Sequence, residues 1–163
     1  MTKPGRLLLV AKVAVLAAAL GIPRAWAERI VVPPGDAGLQ SQVDAARDGD
    51  VLVLQAGRHR GPVHVTKRIV LEGEPGALVE GDGRGNVITL SAPGAVVRGL
   101  TIRGSGSDLP AMDSGVFVEK TATGAVVEHN RLEDNLTGVY VHGAANAVVQ
   151  ANIIVGRQEG RVN

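Results

Sequence analysis

The second half of the chain repeats itself every 22 or 23 residues. The segment 115–118 recurs as 138–141, and the segment 125–132 recurs as 147–154, while 95–102 matches the second half of the same unit. Three short strands and three turns fill roughly 22 residues, which is one coil of a solenoid. Such a coil can bury its apolar side chains only by stacking on its neighbours with parallel strands. The repeat therefore predicts an all-β fold, a right-handed single-stranded parallel β-helix.

The apolar residues of the chain suit such a stack. Hydrophobic residues make up 45% of the sequence, but only 2% of all residues are aromatic, and cysteine is absent. The core volume must therefore come from small and β-branched side chains on strands. We expect valines one coil apart to touch inside the tube. Val126 should be one of them, so that Val126→Asp would bury a charge and cost several kcal/mol of stability.

Asn130 and Asn152 hold the same position in consecutive units. In register they would stack as an asparagine ladder whose side-chain amides satisfy buried backbone groups of a turn. In the alternative interpretation each is a left-handed turn residue without a ladder. Both roles are structural.

Residues 1–27 are typical of a cleavable secretory signal. A basic start precedes an apolar run over residues 13–22, which is too short to span a bilayer as a helix. Ala25 and Ala27 supply small side chains two residues apart, as signal peptidase requires, and a retained anchor is the alternative. After cleavage before Glu28 the chain has 13 basic and 16 acidic residues, a net charge of −3. That charge argues against a basic surface for nucleic acid.

Residues 28–50 are expected to cap the first coil with a short helix. Leu39 and Val43 recur at helical spacing, and Asp36 is placed to cap the helix N-terminus. An amphipathic helix here would cover the apolar end of the solenoid. The coils then occupy residues 51–163 with no second cap, so we expect the chain to be truncated at its C-terminus relative to a longer solenoid. The alternative is a short protein whose open end is capped by a partner.

Residues 105–113 interrupt the repeat and lengthen one coil by about eight residues. Insertions of this kind map to loops and often to a functional face. Asp108 and Asp113 are expected to be exposed, solvated loop carboxylates; the alternatives are that the pair binds a hard cation or acts as acid and base. Met112 offers a thioether to Cu(I) or an apolar plug for the core.

Residues with metal-binding or catalytic chemistry are sparse. The four histidines form no H-x-x-H or H-E-x-x-H pair, and each is expected to be exposed. With Met112, His129 and His142 are the candidate ligands of a labile copper site. No carboxylate cluster and no Ser/His/Asp set has a spacing on which a catalytic site could be proposed.

Two segments are specific enough to indicate a family. They are the helical segment followed by Gly57-Arg58-His59-Arg60-Gly61-Pro62, and the run Met112-Asp113-Ser114-Gly115-Val116-Phe117-Val118-Glu119. The segments 71–77, 96–106, 130–132, 138–143 and 161–163 also fit. Together they resemble the N-terminal portion of NosD-type proteins, the periplasmic β-helix accessory proteins of nitrous-oxide reductase maturation. The likeness departs at His59, where the family usually has tyrosine, and in length, because the family is more than twice as long.

The resemblance implies a non-catalytic protein of the periplasm. It implies association with a membrane ABC transporter and a role in delivering copper to nitrous-oxide reductase or in assembling its copper centres. A copper-chaperone lipoprotein would be a further partner.

A secreted polysaccharide-binding or polysaccharide-cleaving β-helix is the alternative function. A glycan site needs an aromatic platform on one strand face. Phe117 and Tyr140 lie 23 residues apart, at the same place in consecutive coils. Their rings either fill the core or form such a platform on the outside.

Overall fold

The computed structural model describes residues 27–35 and 38–157, and its architecture is the expected parallel β-helix of about five coils with one short helix. The predicted signal falls on residues 1–27, almost all of them outside the described residues. In chain order the elements are β1 (Arg29–Val32), α1 (Leu39–Ala45), β2 (Val51–Leu54), β3 (Gly57–Arg60), β4 (Val63–Val65), β5 (Val70–Gly73), β6 (Ala77–Glu80), β7 (Ile88–Leu90), β8 (Val96–Arg98), β9 (Thr101–Arg103), β10 (Ser114–Val118), β11 (Val126–Glu128), β12 (Arg131–Asn135), β13 (Thr137–Val141), β14 (Val148–Gln150) and β15 (Ile153–Gly156).

Three parallel sheets form the walls of the solenoid. Sheet A has the order β1-β2-β5-β8-β11-β14, sheet B the order β3-β6-β9-β12-β15, and sheet C the order β4-β7-β10-β13. Each coil runs from sheet A to sheet B to sheet C. Three kinds of turn, A–B, B–C and C–A, therefore form the three edges of the solenoid.

The coils differ in length. Along sheet A, 19 residues separate Val51 from Val70, 26 separate Val70 from Val96, and 30 separate Val96 from Val126. The 22-residue interval of the repeat separates Val126 from Val148, and it also separates Arg29 from Val51 at the start of the sheet. The two longest coils hold their extra residues mainly in the B–C turn, so the register along sheet A is continuous.

The core is a stack of aliphatic side chains from successive coils. Leu71, Val97 and Val127 are each at most 1% exposed and lie one above another. Val126 belongs to the outward row and is partly exposed, so the expectation that it is buried is wrong. Successive side chains of a strand point to opposite faces. In the three-residue strand β11, Val126 and Glu128 therefore face outward and Val127, between them, faces the core.

The helix α1 takes the place of a sheet C strand in front of β4. Leu39 and Val43 are buried against the core, as the helical spacing predicts. The Gln40 side chain pairs with the backbone of His64: its Oε1 accepts from the His64 N–H (2.7 Å) and its Nε2 donates to the His64 carbonyl oxygen (3.2 Å). Gly38 precedes the helix without a side-chain cap, and Asp36 lies outside the described residues.

His59 lies in the core and not on the surface, contrary to expectation. It is 1% exposed, belongs to β3, and stacks in register with Val79 of β6. Its Nε2 lies 2.9 Å from the carbonyl oxygen of Gln55, which satisfies the buried ring. The sequence of β3 shows no apolar alternation, so nothing in it marks His59 as an inward residue.

Candidate functional site

The outward side of sheet C carries the aromatic side chains of the described chain. We call this surface the sheet C face and define it by two rows of side chains. The first row is set by the strand register, and the second by backbone hydrogen bonds that continue this pairing past the strand ends. The rows are His64, Thr89, Phe117 and Tyr140, and Ser91, Glu119 and His142.

Phe117 and Tyr140 point outward because their strand neighbours point inward. Val116 and Val118 on either side of Phe117 are fully buried, whereas Phe117 and Tyr140 are partly exposed. The interpretation in which the two rings fill the core is therefore wrong, and the rings lie on the outside.

The two rings pack against each other and against His142. The Phe117 and Tyr140 centroids are 5.4 Å apart, and the His142 imidazole lies 5.9 Å from Phe117 and 6.1 Å from Tyr140. The His142 ring is nearly parallel to that of Phe117, with an interplanar angle of 23°. These three residues form a compact, partly exposed cluster of rings.

At the other end of the sheet C face, Ser91 and His64 form a pair that sequence inspection missed. The Ser91 Oγ lies 3.0 Å from the His64 Nε2, although 27 residues separate them. A serine beside an imidazole is the first part of a nucleophile and base arrangement. Among the described residues no carboxylate hydrogen-bonds to His64, so the group that orients the base in a catalytic triad is missing.

Sheet A carries an ion-pair ladder on its outer side. Glu72 accepts from Arg29 Nη2 at Oε1 (2.7 Å) and from Arg98 Nη2 at Oε2 (2.5 Å), so one carboxylate holds guanidinium groups from both sides. The hydrogen bonds from Arg29 and then Arg98 lower the pKa of Glu72 below its ordinary value.

Sheet B repeats this arrangement at Glu80. Arg103 Nη2 donates to Oε1 (2.7 Å) and Arg58 Nη1 to Oε2 (3.1 Å), and the hydrogen bonds from Arg103 and then Arg58 lower the pKa of Glu80. A carboxylate held in this way stays charged at neutral pH and does not act as a general acid. The ladders of sheets A and B are therefore structural.

The A–B turn holds Asn130 and Asn152 one above the other. Asn130 Nδ2 donates to the carbonyl oxygen of Val97 (3.0 Å) and to Asn152 Oδ1 (3.1 Å), and Asn130 Oδ1 accepts from the N–H of Leu100 (3.1 Å). Asn152 Nδ2 donates to the carbonyl oxygen of Val127 (2.8 Å). Leu100 takes the asparagine position in the preceding coil, which ends the ladder.

Asn135, the last residue of β12 before the B–C turn, makes equivalent bonds, and sequence inspection missed it. Its Nδ2 donates to the carbonyl oxygen of Ile102 (2.9 Å), and its Oδ1 accepts from the N–H of Ser105 (3.1 Å). Asp134 before it has a left-handed φ of 52°, as His129 has (54°) before the first asparagine. The shared signal is a left-handed residue followed by asparagine at a strand boundary.

Comparisons with known proteins identify the chain's relatives. No family model matches it. Two curated proteins match the chain, and both are named "Probable ABC transporter binding protein NosD". The protein of Stutzerimonas stutzeri is 38% identical over 103 residues, which is 63% of this chain and 24% of the relative. That of Pseudomonas aeruginosa is 36% identical over 108 residues, 66% of this chain and 25% of the relative. The chain is a relative of the NosD-type proteins.

The expected resemblance to NosD is thus confirmed, and the chain spans about a quarter of the length of the curated NosD proteins it matches. Solved structures agree on the fold. The alginate lyase AlyGC has a TM-score of 0.60 at 18% identity, covering 79% of this chain and 20% of the lyase. A pectin methylesterase mutant in complex with a hexasaccharide has a TM-score of 0.55 at 18% identity, covering 77% of this chain and 52% of the esterase.

The three copper candidates suggested alongside the NosD resemblance lie at three different edges of the solenoid. His129 is in the A–B turn between β11 and β12, Met112 in the B–C turn between β9 and β10, and His142 in the C–A turn after β13. The structure therefore does not bring them together around one ion. Among the described residues, no three His, Asp or Glu side chains converge to hold a metal.

The insertion at residues 105–113 is held by its own carboxylates. Asp113 is only 5% exposed, contrary to expectation, and its Oδ2 accepts from the N–H of Asp108 (2.9 Å). Asp108 Oδ1 accepts from the N–H of Ala111 (3.1 Å). The two side chains therefore shape the loop through hydrogen bonds to its backbone. In the part of the chain that the structure describes, no helix has the length and apolarity needed to cross a membrane.

Proposed function

We propose that this chain is part of a non-catalytic periplasmic maturation factor. It assists copper delivery to nitrous-oxide reductase, or assembly of its copper centres, together with a membrane ABC transporter and a copper-chaperone lipoprotein. The observation that carries the proposal is the 38% identity to a curated NosD protein whose name describes ABC transporter binding.

The architecture supports a role through surface contacts. Ion pairs tie neighbouring coils together on sheets A and B, and side-chain amides satisfy the turn backbones. A surface held in this way is formed before a partner arrives, which reduces the ordering entropy lost on binding.

Deletion of the gene in its host tests the proposal. We expect nitrous-oxide reductase purified from the deletion strain to lack most of its copper and to reduce nitrous oxide slowly. Re-expression of the gene should restore both. A variant with the outer-row change Val126→Ala should also restore them, whereas the core-disrupting Val127→Asp should not. A fully copper-loaded reductase in the deletion strain would contradict the proposal.

Copper binding by the chain itself is a separate question, answered by Cu(I) titration under reducing conditions. Because the three candidates lie at different edges, we expect any site to depend on one of them only. We expect one of His142→Ala, His129→Ala and Met112→Leu to weaken binding at least tenfold and the other two to leave it unchanged. Loss of binding in all three variants would show that the residues share one site.

A further inference from the structure

Both aromatic residues of the described chain lie outside the core. The sequence has one Phe, one Tyr and one Trp, and the Trp is outside the described residues. The buried hydrophobic residues are all Val, Leu, Ile and Ala. Phe117 and Tyr140 sit on adjacent strands with their rings 5.4 Å apart and partly exposed. Rings of this kind carry much of the energy of a contact when they meet a ligand.

Polar groups surround the rings on the sheet C face. Thr89 lies beside Phe117 in the strand register, and Glu119 lies two residues further along the same strand direction. The fully buried centre of a protein–protein interface is apolar and depleted of charge, which this surface is not. A pyranose has the matching chemistry, because its C–H face stacks on a ring and its hydroxyl groups bond to polar side chains.

The dimensions and charges of the surface restrict the class of oligosaccharide that it can bind. Successive strands are about 4.8 Å apart, close to the length of one sugar unit, so an oligosaccharide along the solenoid axis meets one coil per sugar. Arg98 and Arg103, which would attract an acidic ligand, lie on sheets A and B and are already paired with carboxylates. The sheet C face instead carries the carboxylate of Glu119. That charge disfavours a polyuronate.

We propose that the sheet C face binds a neutral oligosaccharide, with a pyranose stacked on Phe117 and Tyr140 and with His142 and Glu119 bonding to its hydroxyls. This inference does not depend on the proposed role in copper-centre assembly.

NMR titration of the purified 163-residue chain tests it, because Tyr140 is the only tyrosine and its ring signals report on the site. The probes are neutral hexasaccharides of glucose, of mannose and of N-acetylglucosamine, with hexagalacturonate as the acidic counterpart. We expect at least one neutral probe to shift the Tyr140 ring signals, and hexagalacturonate to bind at least tenfold more weakly.

Ring variants define the contact by calorimetry with the same probe. We expect Phe117→Ala and Tyr140→Ala each to weaken binding by about tenfold or more. Tyr140→Phe, which keeps the ring, and Val126→Ala on the outer side of sheet A should bind as the unchanged chain does. Circular dichroism melting of each variant verifies that it is folded.

Two results would overturn the inference: no binding of any neutral probe, or binding that both alanine variants retain. If neither sugar class binds and the ring variants instead fail to restore copper loading of the reductase, the sheet C face is a protein interface. A deletion strain with a fully loaded reductase would contradict only the maturation role and would leave the sugar titration informative.

Discussion

The outer sides of sheets A and B differ from the sheet C face. On sheets A and B, Glu72 and Glu80 each hold two arginines, so the side chains bind one another along the solenoid axis. On the sheet C face, rings, hydroxyls and imidazoles stand side by side, and no ion pair is formed between the described residues of that face. The comparison suggests that two walls fix the register of the coils and leave the third available for contact.

The largest expected effect on stability tests whether the inward sides of sheets A and C are equally buried, although their outward sides differ. Val127 lies beneath the outer side of sheet A, and Val118 lies beneath the sheet C face. Val127→Asp and Val118→Asp should each lower the free energy of unfolding by about 3–5 kcal/mol, because each buries an unpaired charge. Val126→Asp, on the outward row of the same strand as Val127, should cost less than about 1 kcal/mol. Urea unfolding measures all three, and an equal loss for Val126→Asp would contradict the assigned inward row.

An intermediate effect tests whether the edges that join the walls are equivalent. Asn130→Ala and Asn135→Ala each leave a buried N–H and a buried carbonyl oxygen unpaired, so each should cost about 1–3 kcal/mol. Asn152→Ala, whose side chain is less buried, should cost less than either. Thermal unfolding of the three variants checks this order. A neutral Asn135→Ala variant would show that the B–C turn is held by other contacts.

The smallest expected effect is a difference between the three sheets in how the stability of the fold depends on pH. The pKa values of Glu72 and Glu80 are lowered from 4.5 in the folded chain, so their stabilisation is complete well above pH 4.5. It is lost as the pH falls below that value and through the folded pKa of each group. Glu72→Gln and Glu80→Gln should lower stability at neutral pH and flatten its decline in acid. Thr89→Ala, a control on the sheet C face that removes no charge, should leave the decline unchanged. Melting temperatures measured from neutral to acidic pH decide it; a Thr89→Ala profile as flat as the other two would remove the distinction.

Sequence periodicity predicted the fold because the repeat carries long-range information. Segments 22 or 23 residues apart could be aligned, and parallel pairing of Phe117 with Tyr140 and of Val126 with Val148 follows directly from that alignment. The alignment fixes which residues are neighbours between coils. It does not fix which face of the strand they occupy.

That second question is where the sequence predictions failed. In Ala125-Val126-Val127 two adjacent valines compete for the inward position, and a three-residue strand is too short for alternation to choose between them. His59 occupies an inward position. No apolar pattern in the surrounding sequence indicates that this position is buried. The Ser91–His64 contact arises from stacking across a coil boundary at an interval of 27 residues, which the repeat does not contain.

Gln40 has a consequence for association between molecules. The first strand of a parallel sheet normally presents free N–H and carbonyl groups to which an extended segment of another polypeptide can add. At β4 the His64 N–H and carbonyl are both occupied by one glutamine side chain. A single amide thus removes the template for strand addition at the β4 border of sheet C, and the helix that supplies it protects this edge against pairing with another chain as well as covering the interior.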